Sequence, residues 1–207
     1  MWQSFKRNVY YMKRVMKEEM KITVGISNRH AHLTREQIDA LFGEGYELTF
    51  YRNIKQPDEF VSNEKIDVAG PKGILKGVRI MGPVREKAQI EMTFTSARKI
   101  GVEAQVRVSS QVEGTSGAKL IGPKGEYYLE DGVIAAFRHL HMTPQEAEAL
   151  GLREGQMVSV EAGGDRAVIF KNVVVRIDEL FSLELHLDTD EANAAALKNG
   201  DEVQLLL

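Results

Sequence analysis

Apolar residues recur along this chain with two different periods. Trp2, Phe5, Val9, Met12, Met16 and Met20 fall every three or four positions, while Lys6, Arg7, Lys13, Arg14 and Lys17 occupy the other faces, which predicts an amphipathic helix over 1–21. From residue 22 onward the period shortens to two. Short alternating runs predict strands over 22–27, 47–51, 65–69, 73–80, 88–94, 132–137, 157–161, 166–170, 173–177, 183–187 and 202–206. Gly-Pro pairs at Gly70-Pro71, Gly82-Pro83 and Gly122-Pro123 punctuate them. Strands this short and this often interrupted predict small barrels rather than one long parallel sheet.

Three helices break the alternation. Thr34 caps a helix over 35–42, with Gln37 at the reciprocal capping position and Gly43 as the stop. Thr143 caps another, with Pro144 at its first position, Glu146 completing the box and Gly151 ending it. A shorter one is expected over 190–197. The order strand, HxH, Thr, helix, Gly, strands thus occurs twice, a weak internal repeat. The expected organisation is a helix over 1–21, a first β-barrel domain over 22–115 and a second over 116–207. The fold class expected is mainly β with short helices, as two similar small barrels packed together with a metal site where they meet.

Composition narrows the chemistry. A formal charge of −3 argues against a general nucleic-acid binder, and no apolar run reaches the length of a membrane helix or a secretion signal, so no integral membrane contact and a cytoplasmic location are expected. There is no cysteine, which excludes disulfides, thiolate catalysis and sulfur-held metals. Any metal is therefore held by nitrogen and oxygen.

Four of the five histidines sit in the two HxH copies, His30-Ala31-His32 and His139-Leu140-His141. The fifth, His186, lies in an alternating run. Side chains at i and i+2 of a strand share a face, so each HxH forms a pincer for one ion. Glu91, Glu103, Glu184 and Asp188 are the candidate anionic partners. Glu91 stands out because its alternation places a carboxylate among apolar neighbours, a costly position unless a cation meets it. Arg85, just after a Gly-Pro turn, is a candidate for gripping a tetrahedral oxyanion. The P-loop, GxGxxG, HExxH and GxSxG motifs are all missing from the chain.

Four stretches carry a resemblance: Ser27-Asn28-Arg29-His30-Ala31-His32-Leu33-Thr34, Gly82-Pro83-Val84-Arg85 with Gln89-Ile90-Glu91, Arg138-His139-Leu140-His141-Met142, and Leu183-Glu184-Leu185-His186-Leu187-Asp188-Thr189-Asp190-Glu191-Ala192-Asn193-Ala194. In order and in detail they resemble the PduL-type phosphate acyltransferases, the phosphate propanoyltransferase family. The resemblance implies two zinc-type ions on His30, His32, Glu91, His139, His141 and His186, a phosphate-holding Arg85, and a pair of small β-barrels. It implies reversible transfer of a short acyl group between coenzyme A and inorganic phosphate. Arg98, Lys99, Arg107, Lys119 and Lys124 are the basic residues offered to the coenzyme's phosphates.

The chain departs from the family pattern at Ser96-Ala97-Arg98, at Ala104-Gln105-Val106-Arg107 and over 109–117, segments that bear on the coenzyme groove and the acyl pocket. Partners expected are acyl-CoA and phosphate, a second copy of the chain in a homodimer or larger homo-oligomer, and, through residues 1–20, the shell or cargo of a bacterial microcompartment. Two rivals stand beside this reading: a dimetal hydrolase of acyl-CoA or phosphate esters, and a non-catalytic scaffold whose metals only staple two barrels.

Overall fold

The computed structural model describes residues 22–55 and 58–206, so the helix expected over 1–21 lies outside the described residues. In chain order the elements are β1 (Ile22–Ser27), β2 (His30–His32), α1 (Arg35–Phe42), β3 (Phe50–Asn53), β4 (Phe60–Gly70), β5 (Gly73–Gly82), β6 (Gln89–Glu91), α2 (Phe94–Ile100) and β7 (Gln105–Arg107). There follow β8 (Ser116–Ile121), β9 (Glu126–Ala136), β10 (His139–Met142), α3 (Pro144–Leu150), β11 (Met157–Ala162), β12 (Val168–Ile177), β13 (Glu184–Asp188), α4 (Thr189–Ala194) and β14 (Glu202–Leu206). The class is mainly β with short helices, as expected. None of the described helices is long and apolar enough to cross a membrane.

The strands form two rings. In one, β4, β5, β2, β6, β9 and β8 pair in succession and β8 returns to β4, with β3 added at β4 and β7 at β9. The other is a closed barrel in the order β1, β13, β10, β12, β11, β14. The two follow one plan. Each HxH strand runs parallel to one neighbour, β2 to β5 and β10 to β12, and antiparallel to the other, β2 to β6 and β10 to β13.

The contacts group the described residues with other bounds than the 115/116 boundary expected from the sequence. One unit comprises Ser27–Phe137 with Asp188–Asp190, and the other Arg138–Leu187 and the described residues from Glu191 onward together with the strand up to Ile26. Each repeat lends its first strand to the other ring: β1 precedes β2 in the chain but closes the ring of β10, and β9 precedes β10 but closes the ring of β2. The physical reason is edge closure. Without the lent strand, each ring would leave a row of backbone N–H and C=O groups unpaired, and alternation along a sequence marks a strand without naming its partner.

Apolar residues fill both rings. Ile66, Ile80, Ile90, Leu120 and Val133 face inward in the first, and α1 adds Ile38 and Leu41 to the same cluster. Ile22, Val24, Leu140, Val160, Val175 and Leu185 do the same in the second. Both expected capping boxes are present: Thr34 and Gln37 bond reciprocally, as do Thr143 and Glu146.

Two local expectations change. The strand expected over 88–94 stops at Glu91, because Thr93 accepts a hydrogen bond from the Ser96 N–H and opens α2, which Gly101 ends in a left-handed conformation. The strands expected over 166–170 and 173–177 are one strand, β12. Asn172 takes a φ of 55°, and the register with β11 slips there, a bulge that interrupts the alternation without ending the strand.

Candidate functional site

The first ring holds one group of donors. His30 and His32 share a face of β2, and β6 runs antiparallel beside it with His30 opposite Glu91. One ligand atom from each of the three lies within 4.8 Å of the others. The His30 Nδ1 sits 2.9 Å from the Asn28 carbonyl. A carbonyl only accepts, so Nδ1 donates to it, and Nε2, the nitrogen that would face a metal, lies 3.6 Å from Glu91 Oε2. His32 is buried, and its Nδ1 has no hydrogen-bond partner. Burial, then the nearby His30 and Arg85, hold its pKa well below the ordinary value, so the ring is neutral at physiological pH.

The second ring repeats the arrangement with three imidazoles. His139 and His141 on β10 face β13, where His186 lies opposite His139. Ring centroids are 4.6 Å apart for His139 and His141, 4.8 Å for His139 and His186, and 4.5 Å for His141 and His186. Phe181 stacks on His141 at 3.9 Å. Burial, followed by His139, His186 and Arg176, pushes the His141 pKa down to about 2. Three imidazoles whose ring centroids all lie within 4.8 Å of one another fit a bound cation. A buried imidazole nitrogen without a hydrogen-bond partner, as at His32, fits one as well.

Arg85 follows β5 in the first ring. Its backbone N–H donates to the Leu33 carbonyl at 2.9 Å, which ties its loop to the end of β2, and its guanidinium pairs with Glu59. Of the other anionic candidates, Glu103 is exposed, and neither it nor Asp188 belongs to a donor group among the described residues. Glu184 lies opposite His141, with its Oε2 3.0 Å from His186 Nε2. The five basic residues offered to coenzyme A all fall in the unit of the first ring. Arg98 and Lys99 lie in the last turn of α2, Arg107 ends β7, Lys119 on β8 pairs with Glu126 at 2.5 Å, and Lys124 lies in the β8–β9 turn.

Sequence reasoning passed over Glu59, Gln89 and Phe181. Gln89 was within reach of it: two residues before Glu91 in an alternating strand, it shares that carboxylate's face.

This chain is a tandem β-barrel protein with a three-donor group suited to a metal ion in each barrel, two histidines and a glutamate in one and three histidines in the other. The family model described as phosphate propanoyltransferase matches residues 23–198. The phosphate propanoyltransferase of Thermotoga maritima is 46% identical over 97% of this chain and 94% of its own length. Those of Listeria monocytogenes, at 44% over 91% of this chain and 88% of the relative, and Lachnoclostridium phytofermentans, at 41% over 96% and 93%, are similar along nearly their full length. The chain belongs to the phosphate propanoyltransferase family, and is an enzyme of the phosphate acyltransferase kind.

Proposed function

We propose that this enzyme moves a short acyl group, propanoyl foremost, reversibly between coenzyme A and inorganic phosphate by direct attack of phosphate on the thioester. One observation carries the mechanism: each barrel converges three donors, two histidines with a glutamate in one and three histidines in the other. Both sets match those of catalytic zinc, which keeps three protein ligands and leaves a position for substrate. His30, His32 and Glu91 would hold one zinc ion, and His139, His141 and His186 the other. Bound there, the ions supply Lewis acidity to the thioester carbonyl and to phosphate.

The chain's own groups do the rest. Low pKa values keep His32 and His141 neutral, so their lone pairs stay available at physiological pH. Arg85 offers a fork of N–H donors to phosphate, and Glu59 holds that fork in place until the anion arrives. A phosphate oxygen then forms its bond to the carbonyl carbon, the carbon–sulfur bond breaks, and coenzyme A leaves as thiolate. The chain has no cysteine to form a thioester acyl-enzyme, which favours the single displacement. Arg98, Lys99, Arg107, Lys119 and Lys124 are the basic residues we assign to the coenzyme's phosphates. The amphipathic spacing over 1–21 supports a docking segment, for a second copy of this chain or for the shell or cargo of a microcompartment.

A free-thiol assay on propanoyl-CoA and acetyl-CoA, with phosphate present and absent and acyl phosphate trapped as the hydroxamate, tests this reading. Thiol release that requires phosphate and yields hydroxamate is expected. Release without phosphate identifies a hydrolase, and no release from either thioester leaves the metals a structural role.

A further inference from the structure

The two barrels place their metal-facing strands in the same register. His30 lies opposite Glu91 and His32 opposite Gln89; His139 lies opposite His186 and His141 opposite Glu184. Glu91 and His186 are thus equivalent positions, and so are Gln89 and Glu184. Both members of the second pair are buried polar side chains, 1% and 7% exposed.

Each bonds the donor two places along its own strand. Gln89 Nε2 donates to Glu91 Oε1 at 2.6 Å and to Ser109 Oγ at 3.0 Å, while its Oε1 accepts from the Ser110 N–H at 2.6 Å. A backbone N–H cannot accept, so the amide has only one orientation, with its NH2 toward Glu91. Glu184 Oε2 lies 3.0 Å from His186 Nε2. A carboxylate accepts, so His186 donates from Nε2 and, as a metal ligand, would offer Nδ1. The polarity of the bond inverts with the ligand: a glutamate donor is met by an amide N–H, a histidine donor by a carboxylate.

Gly25 on β1 makes the second arrangement possible, since a Cβ there would stand 2.8 Å from both Cδ and Oε2 of Glu184. A buried carboxylate is costly unless positive charge meets it, and three imidazoles holding a divalent ion provide that charge.

From this matched register we infer that Gln89 and Glu184 are paired positioning residues, each orienting one metal donor of its own barrel. The inference rests on the reading that both clusters hold metal. Neither residue is assigned as a ligand; each acts through the neighbour it bonds, as outer groups do when they fix a ligand's tautomer and raise its basicity.

The test uses the full chain in two backgrounds. His30→Ala with His32→Ala leaves only the second cluster, and His139→Ala with His141→Ala leaves only the first. Zinc affinity is read by competition with a chromophoric chelator, and geometry by the visible spectrum of bound cobalt(II). Glu184→Gln in the second-cluster background, and Gln89→Met in the first-cluster background, are each expected to weaken zinc about 10- to 100-fold at unchanged stoichiometry, with a shifted cobalt spectrum. Unchanged affinity and spectrum overturn the inference. So does loss of all binding, as complete as His186→Ala or Glu91→Ala produces, which makes the residue a ligand. Backgrounds that bind no metal before the second substitution contradict the metal reading itself, and the inference falls with it. Circular dichroism of the metal-free variants checks folding, and should one misfold, the other barrel's variant carries the test alone.

Discussion

Replacing Gly25 by alanine reaches the second cluster without altering any group that bonds there. The added Cβ would stand 2.8 Å from the Glu184 carboxylate, whereas ordinary contact begins at 3.4 Å, so the carboxylate must move by about 0.6 Å. That is roughly the whole range over which an N–H···O bond keeps its strength. The bond at stake is the 3.0 Å contact with His186 Nε2. A hydrogen bond to a charged group contributes about 1.5–3 kcal/mol, so its loss corresponds to about a 10- to 100-fold drop in zinc affinity.

The fold itself bears little of this cost. The displaced atoms end a flexible side chain, and a strand alanine gains roughly 0.5–1 kcal/mol over glycine. Chelator competition in the second-cluster background, beside thermal unfolding of the metal-free protein, separates the two effects. Zinc affinity within about twofold of the parent at this position would refute the reasoning, because the moved carboxylate would then have no hold on the cluster.

Three further outcomes follow from the geometry. Arg85→Ala is expected to raise the phosphate KM and slow turnover by about 10- to 100-fold while metal content stays intact; normal turnover with ordinary phosphate saturation would remove Arg85 from the mechanism. His141 is neutral in the folded chain down to about pH 2 but titrates near 6.5 once unfolded, so its contribution is full above pH 6.5 and is lost as pH falls toward 2. Denaturation of chelated protein between pH 7 and pH 5 should therefore lose stability with acid, approaching about 1.4 kcal/mol per pH unit per proton, and His141→Leu should remove one proton's share; an unchanged slope would contradict the assignment. Gly117→Ala would set a Cβ 2.1 Å from the Leu129 carbonyl and 2.5 Å from that of Glu130, both rigid backbone, and should cost about 3 kcal/mol in a denaturant titration. A midpoint equal to the parent's would show that β8 and β9 yield more readily than their pairing implies.

What the sequence told and what it withheld divides along local and non-local lines. Capping boxes at Thr34 and Thr143 are contained within four residues, and both are formed as read. The helix at Phe94–Ile100 was masked because its cap, Thr93 with Ser96, follows directly on the alternation that names β6, and no acidic partner marks it. Ring membership depends on strands far apart in the chain. Nothing in the spacing around residue 22 says that Ile22 pairs with Val203. The histidines marked candidate metal donors, but their grouping followed from which strand lies beside each HxH. Hence Gln89 and Glu184 became equivalent only once the register of β6 and β13 was known.

The central claim is that each barrel holds one divalent ion, and counting metal by native mass spectrometry addresses it most directly. The account predicts two ions per wild-type chain, one after His32→Ala, one after His141→Ala and none when both are replaced. A full complement in either single variant, or a wild-type chain that carries no metal after purification in added zinc, would contradict it.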